Sequence, residues 1–370
     1  MQKRRFGKTN FEVSALGFGG FHLLEIPQSE VSYLLNSYLD QGGNYIETAA
    51  SYGNGESEKK IGNAVAHRRS EFFLTTKSGQ RDKLSFEKEL NESLKNLKTE
   101  YVDLIIYHAV ATEEDLEMIF ATNGAHEAAI KAQKEGKVKY IGISMHGHPF
   151  TLLKALDIYS FDAVMAVFNY YDRFNFPSLE NELLPKAIKN DVGIIAMKPF
   201  ADGYLYRSIE KALRYTLSLP VSVVVAGINS REMLKTDINI VNNFVPMTAE
   251  EKNGLFSTAK ELSNYVCRQC NLCMPCPQGI NIPYLFELEG YYDRQMFRGK
   301  PNDTAEYNIS ERLKFWFGNQ GLASKLYSKV TKKARDCNQC GECQPRCPYG
   351  IDIINKLRLV DYKLGEAGIF

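Results

Sequence analysis

The sequence predicts an α/β protein in which a closed (β/α)8 barrel, the TIM barrel, is followed by a smaller, mostly α-helical, cysteine-rich domain. Over the first 260 residues or so, short apolar runs alternate with amphipathic helical segments, the pattern of parallel strands joined by helices. About eight such units fit there, the count and size of a TIM barrel. All eight cysteines fall instead in two short runs near the C-terminus. A chain of 370 residues suits a barrel plus one smaller domain, and the boundary is placed between 1–262 and 263–370.

Candidate strands begin near Leu16, Tyr45, Phe72, Val102, Val138, Ala163, Val192 and Val221. Between the first two lies a helix from Ser29 to Asp40. Its Val31, Leu34, Leu35, Tyr38 and Leu39 share one face, and it ends before Gly42 and Gly43. A doubly wound open sheet is the structural alternative, but no Gly-x-Gly-x-x-Gly turn follows the first strand.

Catalytic groups of a TIM barrel sit where strands end and loops begin on the C-terminal face. Those ends carry Glu47 after the second strand, Lys77 after the third and His108 after the fourth, with Tyr52 in the loop following Glu47. Together they make a proton-transfer site. A tyrosine hydroxyl acts as general acid if a nearby lysine cation stabilises its phenolate. Glu47 would hold Lys77, and His108 would orient a carbonyl oxygen. Taken singly, each of the four reads as a surface charge or a wall residue; their recurrence at successive strand ends carries the argument.

Asn44-Tyr45-Ile46-Glu47-Thr48-Ala49-Ala50-Ser51-Tyr52-Gly53, followed by Ser57-Glu58, resembles the aldo-keto reductase segment that bears the acid and tyrosine of the catalytic tetrad. Thr75-Thr76-Lys77 is similar to its lysine segment, and Leu94-Lys95-Asn96-Leu97 through Tyr101-Val102-Asp103-Leu104 to His108 to its histidine segment. Arg5-Phe6-Gly7-Lys8-Thr9 and Val13-Ser14 resemble the hairpin that closes the barrel bottom. With its cysteine-rich end, the chain resembles the microbial aldo-keto reductases that carry a C-terminal ferredoxin-like 4Fe-4S domain.

That resemblance implies reduction of an aldehyde or ketone by NADPH, or the reverse oxidation, with Tyr52 as proton donor and Lys77, Glu47 and His108 in support. It places Ser144 at the nicotinamide amide, and Gly227, Ser230 and Arg231 in the phosphate-binding loop, where Arg231 would reach a 2′-phosphate. Asn169 and Lys198, also at strand ends, join the cofactor-binding set, while Phe21, His22, His146 and Tyr170 join the substrate pocket. Four positions depart from the pattern. Glu47 replaces an aspartate, Met145 an asparagine, Met165 a glutamine and Met197 a tyrosine. Methionine has no donor for a carboxamide, and each lost hydrogen bond costs roughly 0.5–1.5 kcal/mol.

The first cysteine run is Cys267, Cys270, Cys273 and Cys276 before Pro277; the second is Cys337, Cys340, Cys343 and Cys347 before Pro348. Three cysteines at intervals of three wrap three corners of a cubane, and a fourth before a proline ligates from outside that loop. Two 4Fe-4S clusters are expected. By symmetry with two-cluster ferredoxins, Cys347 completes the first set and Cys276 the second. Zinc would leave the third cysteine of each run idle. Disulfides need an oxidising compartment, and the start Met1-Gln2-Lys3-Arg4-Arg5-Phe6 lacks the apolar core of a signal peptide.

The 60 residues between Cys276 and Cys337 exceed what a compact ferredoxin hairpin needs. Pro283 to Tyr291 and Ser310 to Phe317 read as helical, so an α-helical ferredoxin-type iron–sulfur domain is expected. Lys325, Lys329, Lys332, Lys333 and Arg335 form a basic run that reads as a solvated helix face or as a docking site for an acidic electron-carrier protein.

With 45 basic and 44 acidic residues the formal charge is +1, so no global field favours nucleic acid or an anionic membrane. The longest apolar stretches are strand-sized, which argues against a membrane-spanning helix. A cytoplasmic enzyme of a reducing milieu, acting on a small carbonyl or alcohol substrate, is the leading reading. Hydride transfer moves two electrons and a cubane one, however, and no flavin site is recognisable. The alternatives are internal redox or elimination chemistry on the same tetrad with tightly bound or no nicotinamide, and a non-catalytic electron-transfer or redox-sensing protein.

Overall fold

The computed structural model of the protein describes residues 1–301 and 320–365; the helix expected at Ser310 to Phe317 lies outside them. Strands β1 (Lys3–Arg5) and β2 (Glu12–Ser14) pair antiparallel, Lys3 opposite Ser14. The chain then alternates β3 (Leu16–Gly19), α1 (Gln28–Asp40), β4 (Tyr45–Glu47), α2 (Glu56–Val65), β5 (Phe73–Ser78), α3 (Lys83–Leu97) and β6 (Val102–Tyr107). Helices α4 (Glu113–Phe120) and α5 (Ala125–Lys134) precede β7 (Val138–Ser144), α6 (Phe150–Ile158), β8 (Ala163–Val167), α7 (Leu184–Lys189), β9 (Gly193–Met197), α8 (Ile209–Leu217), β10 (Val223–Gly227) and α9 (Arg231–Asn242).

Strands β3 to β10 form a closed, all-parallel barrel in which β10 returns to β3, Val224 opposite Leu16 and Gly227 opposite Gly19. The TIM barrel expectation is met, and the open-sheet alternative falls on this closure. The strands are apolar and buried along nearly their whole length, as a parallel sheet covered by helices requires. Helix α1 buries the expected face, Val31, Leu34, Leu35, Tyr38 and Leu39. The β1–β2 hairpin seals the end where strands begin. Phe6 is fully buried, 5.9 Å from the Tyr45 ring and 5.2 Å from that of Phe73. Gly7, at φ +52°, lies so close that a Cβ there would stand 2.3 Å from the backbone nitrogen of Gly193.

The chain divides into two compact units. One comprises 1–168, 180–199 and 213–246; the other takes the described residues of 247–370 together with 169–179 and 200–212. The second unit thus draws in two segments that follow barrel strands β8 and β9. It contains α10 (Ala249–Thr258), α11 (Ile282–Asp293), α12 (Gln320–Ser328) and α13 (Ile353–Leu364), and no strand of three or more residues among its described residues. Its core joins Leu285, Phe286 and Leu288 of α11 to Leu357, Val360 and Leu364 of α13. Gly290 permits α11 to approach residue 175, because a Cβ there would stand 2.8 Å from the Asn175 Cα. Beside the phenyl ring of Phe176, 5.9 Å away, the Tyr291 ring stacks nearly parallel.

Candidate functional site

The barrel register delivers three of the four tetrad candidates to one end. Glu47 is the last residue of β4, Lys77 lies one before the end of β5, and His108 follows β6 directly. Tyr52 returns toward them from the loop after β4. The Lys77 ammonium lies 2.8 Å from the Tyr52 hydroxyl, pairs with the Glu47 carboxylate and donates to the Thr48 carbonyl at 2.9 Å. The Tyr52 hydroxyl also faces Glu47 Oε1 at 3.4 Å. The extra methylene of glutamate therefore leaves its carboxylate within reach of both lysine and tyrosine.

Aromatic neighbours hold the tyrosine ring. Phe21 meets it edge-on at 5.1 Å and His108 at 5.9 Å. The His108 Nδ1 lies 3.3 Å from the Ser51 hydroxyl, and His146 stands 6.4 Å from the His108 ring. Arg81 fixes the histidine loop, donating to the carbonyls of His108 at 2.9 Å and Ala109 at 3.3 Å while its Nε binds Asp115 at 2.8 Å. Behind the site, Glu58 accepts from Thr76 at 2.7 Å and from Asn96 at 3.2 Å, which ties α2 and α3 to the lysine strand. Neither Arg81 nor Ser51 stands out in the sequence; their one signal is a polar side chain in a loop that follows a strand end.

Burial governs the electrostatics. The Lys77 and Glu47 side chains are 1% and 4% exposed, so their charges answer each other away from water. Burial pushes the Tyr52 phenol up and pulls the Lys77 ammonium well down. The sequence argument had the lysine lowering the phenol; in the folded protein desolvation acts in the opposite sense and prevails, leaving the phenol protonated at neutral pH. Burial, then the charges of Lys77 and Arg81, push His108 down to about 3, so its imidazole is neutral.

The outer candidates take varied positions. His22 turns toward Glu25, 2.9 Å from its Nδ1, and packs so tightly on Gly227 that a Cβ there would stand 2.3 Å from its ring. Ser230 caps α9, accepting from the Met233 amide at 3.2 Å. Arg231 makes a two-point pair with Glu30 at 2.8 and 2.9 Å and lies 3.7 Å from the centre of the Tyr33 ring. The Ser144 hydroxyl accepts from the Ala109 amide at 3.0 Å and donates to the Tyr107 carbonyl at 3.3 Å. Lys198 adopts a left-handed backbone, φ 55°. Asn169 is fully buried; its side chain donates to Asp172 and accepts from the backbone amides of Tyr171 and Asp172. Tyr170, also fully buried, lies near Ser208 and Glu261 within the second unit.

These residues offer two different environments to any dinucleotide bound there. The N-terminus of α9, with its serine cap and Arg231, suits an anionic phosphate. At the nicotinamide end, Met145, Met165 and Met197 are buried at 7%, 2% and 6% exposure and supply no donor.

In the second unit none of the eight cysteines is disulfide bonded. Cys267, Cys270, Cys273 and Cys347 line one cavity with Arg268, Pro283, Phe286 and Tyr349. The Cys343 thiol is pushed up by burial and then by the like charges of Cys337, Cys276 and Cys340. These two neighbourhoods pair each loop of three cysteines with the fourth cysteine of the other run. Four thiols around one cavity are the donor set a cubane takes.

Comparison with known proteins bears on both units. Residues 15–215 match the Aldo/keto reductase family, and residues 266–352 match a 4Fe-4S dicluster domain. The chain is 26% identical over 307 residues to "Uncharacterized oxidoreductase YqkF" of Bacillus subtilis, covering 70% of this chain and 97% of that one. Among solved structures, the holo form of aldo-keto reductase AKR11C1 from Bacillus halodurans is similar at a TM-score of 0.60 and 27% identity, covering 68% of this chain and 94% of the other. An aldo-keto reductase from Klebsiella pneumoniae, solved in complex with NADPH, shares the fold at a TM-score of 0.56 and 22% identity, covering 69% and 95%.

Proposed function

The chain belongs to the aldo/keto reductase family and carries a 4Fe-4S dicluster domain, and from that premise we propose that it reduces a small carbonyl compound, or oxidises the corresponding alcohol, with Tyr52 as proton donor and acceptor. One observation carries the reading: the Lys77 ammonium lies between the Tyr52 hydroxyl and the Glu47 carboxylate. NADP(H), held by Ser230 and Arg231 at its phosphate end, supplies the hydride when bound. Tyr52 holds its proton in the resting state and delivers it to the carbonyl oxygen as negative charge develops there. Lys77 then stabilises the phenolate, and Glu47, paired with it, counters the burial that pulls the ammonium down and holds it in place. With Nδ1 accepting from Ser51, His108 carries its proton on Nε2 and donates it to the same oxygen as a neutral hydrogen-bond donor. Phe21 and His146 border this space.

In the second unit, we assign one 4Fe-4S cluster to Cys267, Cys270, Cys273 and Cys347, and the other to Cys337, Cys340, Cys343 and Cys276. An acidic one-electron carrier is the partner this assignment calls for, and the cytoplasm, where thiols stay reduced, its setting. Among the described residues no helix is long and apolar enough to cross a membrane.

The neutral imidazole of His108 makes a pH prediction. Because its pKa is pushed down to about 3, from an ordinary 6.5, His108 neither loses nor gains a proton in the neutral range. A pH profile of carbonyl reduction should therefore have no step near 6.5. A step there that disappears in His108→Asn would show that the histidine works as a cation.

Anaerobic titration of the iron-replete protein with NADPH tests the wider proposal, following cofactor fluorescence and cluster absorbance together. Binding with unbleached clusters supports an ordinary hydride enzyme whose clusters serve structure or a partner. Bleaching means that electrons pass from the dinucleotide to the clusters. Absence of binding overturns the nicotinamide part and favours the second reading, internal redox or elimination chemistry on the same tetrad. Met145, Met165, Met197 and the Ser144 hydroxyl already engaged with Ala109 and Tyr107 favour that second reading.

A further inference from the structure

We propose that Lys356 is a redox-tuning residue, which raises the reduction potential of the cluster assigned to Cys267, Cys270, Cys273 and Cys347. The inference rests on that cluster assignment and goes beyond it. Lys356 sits on α13 with Ile353, Leu357 and Val360, where the apolar pattern calls for another hydrophobe, and it is 1% exposed. A buried ammonium is costly unless its partners answer it. Its Nζ donates to the Tyr265 carbonyl and, at 2.8 Å, to Gln295 Oε1, and it pairs with Glu289 Oε2 at 3.1 Å.

The same Gln295 oxygen accepts the backbone N–H of Cys267 at 2.8 Å. A fully buried glutamine thus joins the lysine to the first cysteine of the set. Two turns along α13, Lys363 binds the other oxygen of Glu289 at 2.6 Å and Asp293 at 2.7 Å. The quartet of two lysines and two carboxylates is neutral as a whole, yet polarised. Lys363 answers the carboxylates, and Lys356 stands at the cysteine end. Of the cluster cysteines Lys356 acts on Cys267, where Arg268, lining the same cavity, is a second cation; the charges acting on Cys343 are those of Cys337, Cys276 and Cys340.

Reduction adds one electron, and one negative charge, to a 4Fe-4S cluster. A fixed cation nearby stabilises that charge, and more strongly where water is excluded. Cys267 and Cys273 are each 8% exposed, so Lys356 acts there with little screening. Burial alone would lower the potential of this cluster by opposing the added charge. The lysine counters that penalty at one cluster and leaves the other alone.

The test is an anaerobic potentiometric titration of the full-length, iron-replete chain, with dithionite as one-electron donor through mediator dyes and the reduced clusters followed by EPR. In Lys356→Met, one of two one-electron waves should move to lower potential while the other stays; in Lys356→Arg both should stay near their original positions. Since Lys356→Met leaves Glu289 with one cationic partner, Lys363, besides the Tyr265 hydroxyl, Lys356→Met combined with Glu289→Gln serves as the variant that keeps the quartet neutral, and the same single-wave shift is expected. Unmoved waves, or two waves moving together, would overturn the proposal. So would loss of the clusters in both variants, which would assign Lys356 to folding. If the wild-type chain fails to hold two cubanes' worth of iron and sulfide, the cluster assignment itself fails, independently of Lys356.

Discussion

Tyr52→Phe is expected to lower turnover by about 100-fold or more, the scale of general acid catalysis, with dinucleotide binding retained. The substitution removes one oxygen and little else. The ring stays between Phe21 at 5.1 Å and His108 at 5.9 Å. Lys77 keeps its pair with Glu47 and its bond to the Thr48 carbonyl, so no buried charge is stranded. What disappears is the protonated phenol that burial holds ready. Steady-state turnover on a reactive aldehyde, alongside fluorescence titration of the dinucleotide, separates chemistry from binding. Turnover within about threefold of the parent, well inside the range expected for general acid loss, would remove Tyr52 from proton transfer. Loss of dinucleotide binding would mean that the hydroxyl shapes the pocket.

The gathering of Glu47, Tyr52, Lys77 and His108 at one end of the barrel was legible in the sequence because strand ends follow from the apolar runs. Observed strands start at Leu16, Tyr45, Phe73, Val102, Val138, Ala163, Gly193 and Val223, each within two residues of its expected start. The cysteine loops were legible for a related reason, since three of four ligands to a cubane lie within a few residues. Asn169 was legible as a residue after a strand, but the bonds by which its amide closes the turn to Asp172 were not. Arg231 read as a phosphate ligand; that Glu30, 201 positions earlier, holds one edge of its guanidinium was not legible. Such long-range pairs leave no periodic trace. Lys356 and Lys363 are buried, although lysine on a helix is normally exposed. A faint signal existed: they lie seven residues apart, on the face that carries Ile353, Val360 and Leu364.

The second unit is expected to depend on Arg294 more than on any single apolar side chain. Arg294 is fully buried, and its guanidinium takes both oxygens of the equally buried Asp172, at 2.7 and 2.5 Å, with Asp202 at 3.2 Å. Asp172 follows barrel strand β8, and Arg294 follows α11, so the pair fastens segment 169–179 to the iron–sulfur part of the unit. Arg294→Met keeps most of the volume and strands the carboxylate, which retains the Asn169 amide as a donor. Breaking a buried pair from one side costs about 3–5 kcal/mol, a large share of the roughly 5–15 kcal/mol that stabilises a typical domain. Denaturant unfolding of the iron-replete chain, read at the cluster absorbance, should show the midpoint fall steeply in Arg294→Met. Removing both partners, as in Arg294→Met with Asp172→Leu, should recover much of the loss, because the penalty lies in the orphaned charge more than in the missing attraction. If the double variant is no better than the single one, the ion pair itself fastens the segment, and the cost belongs to lost geometry.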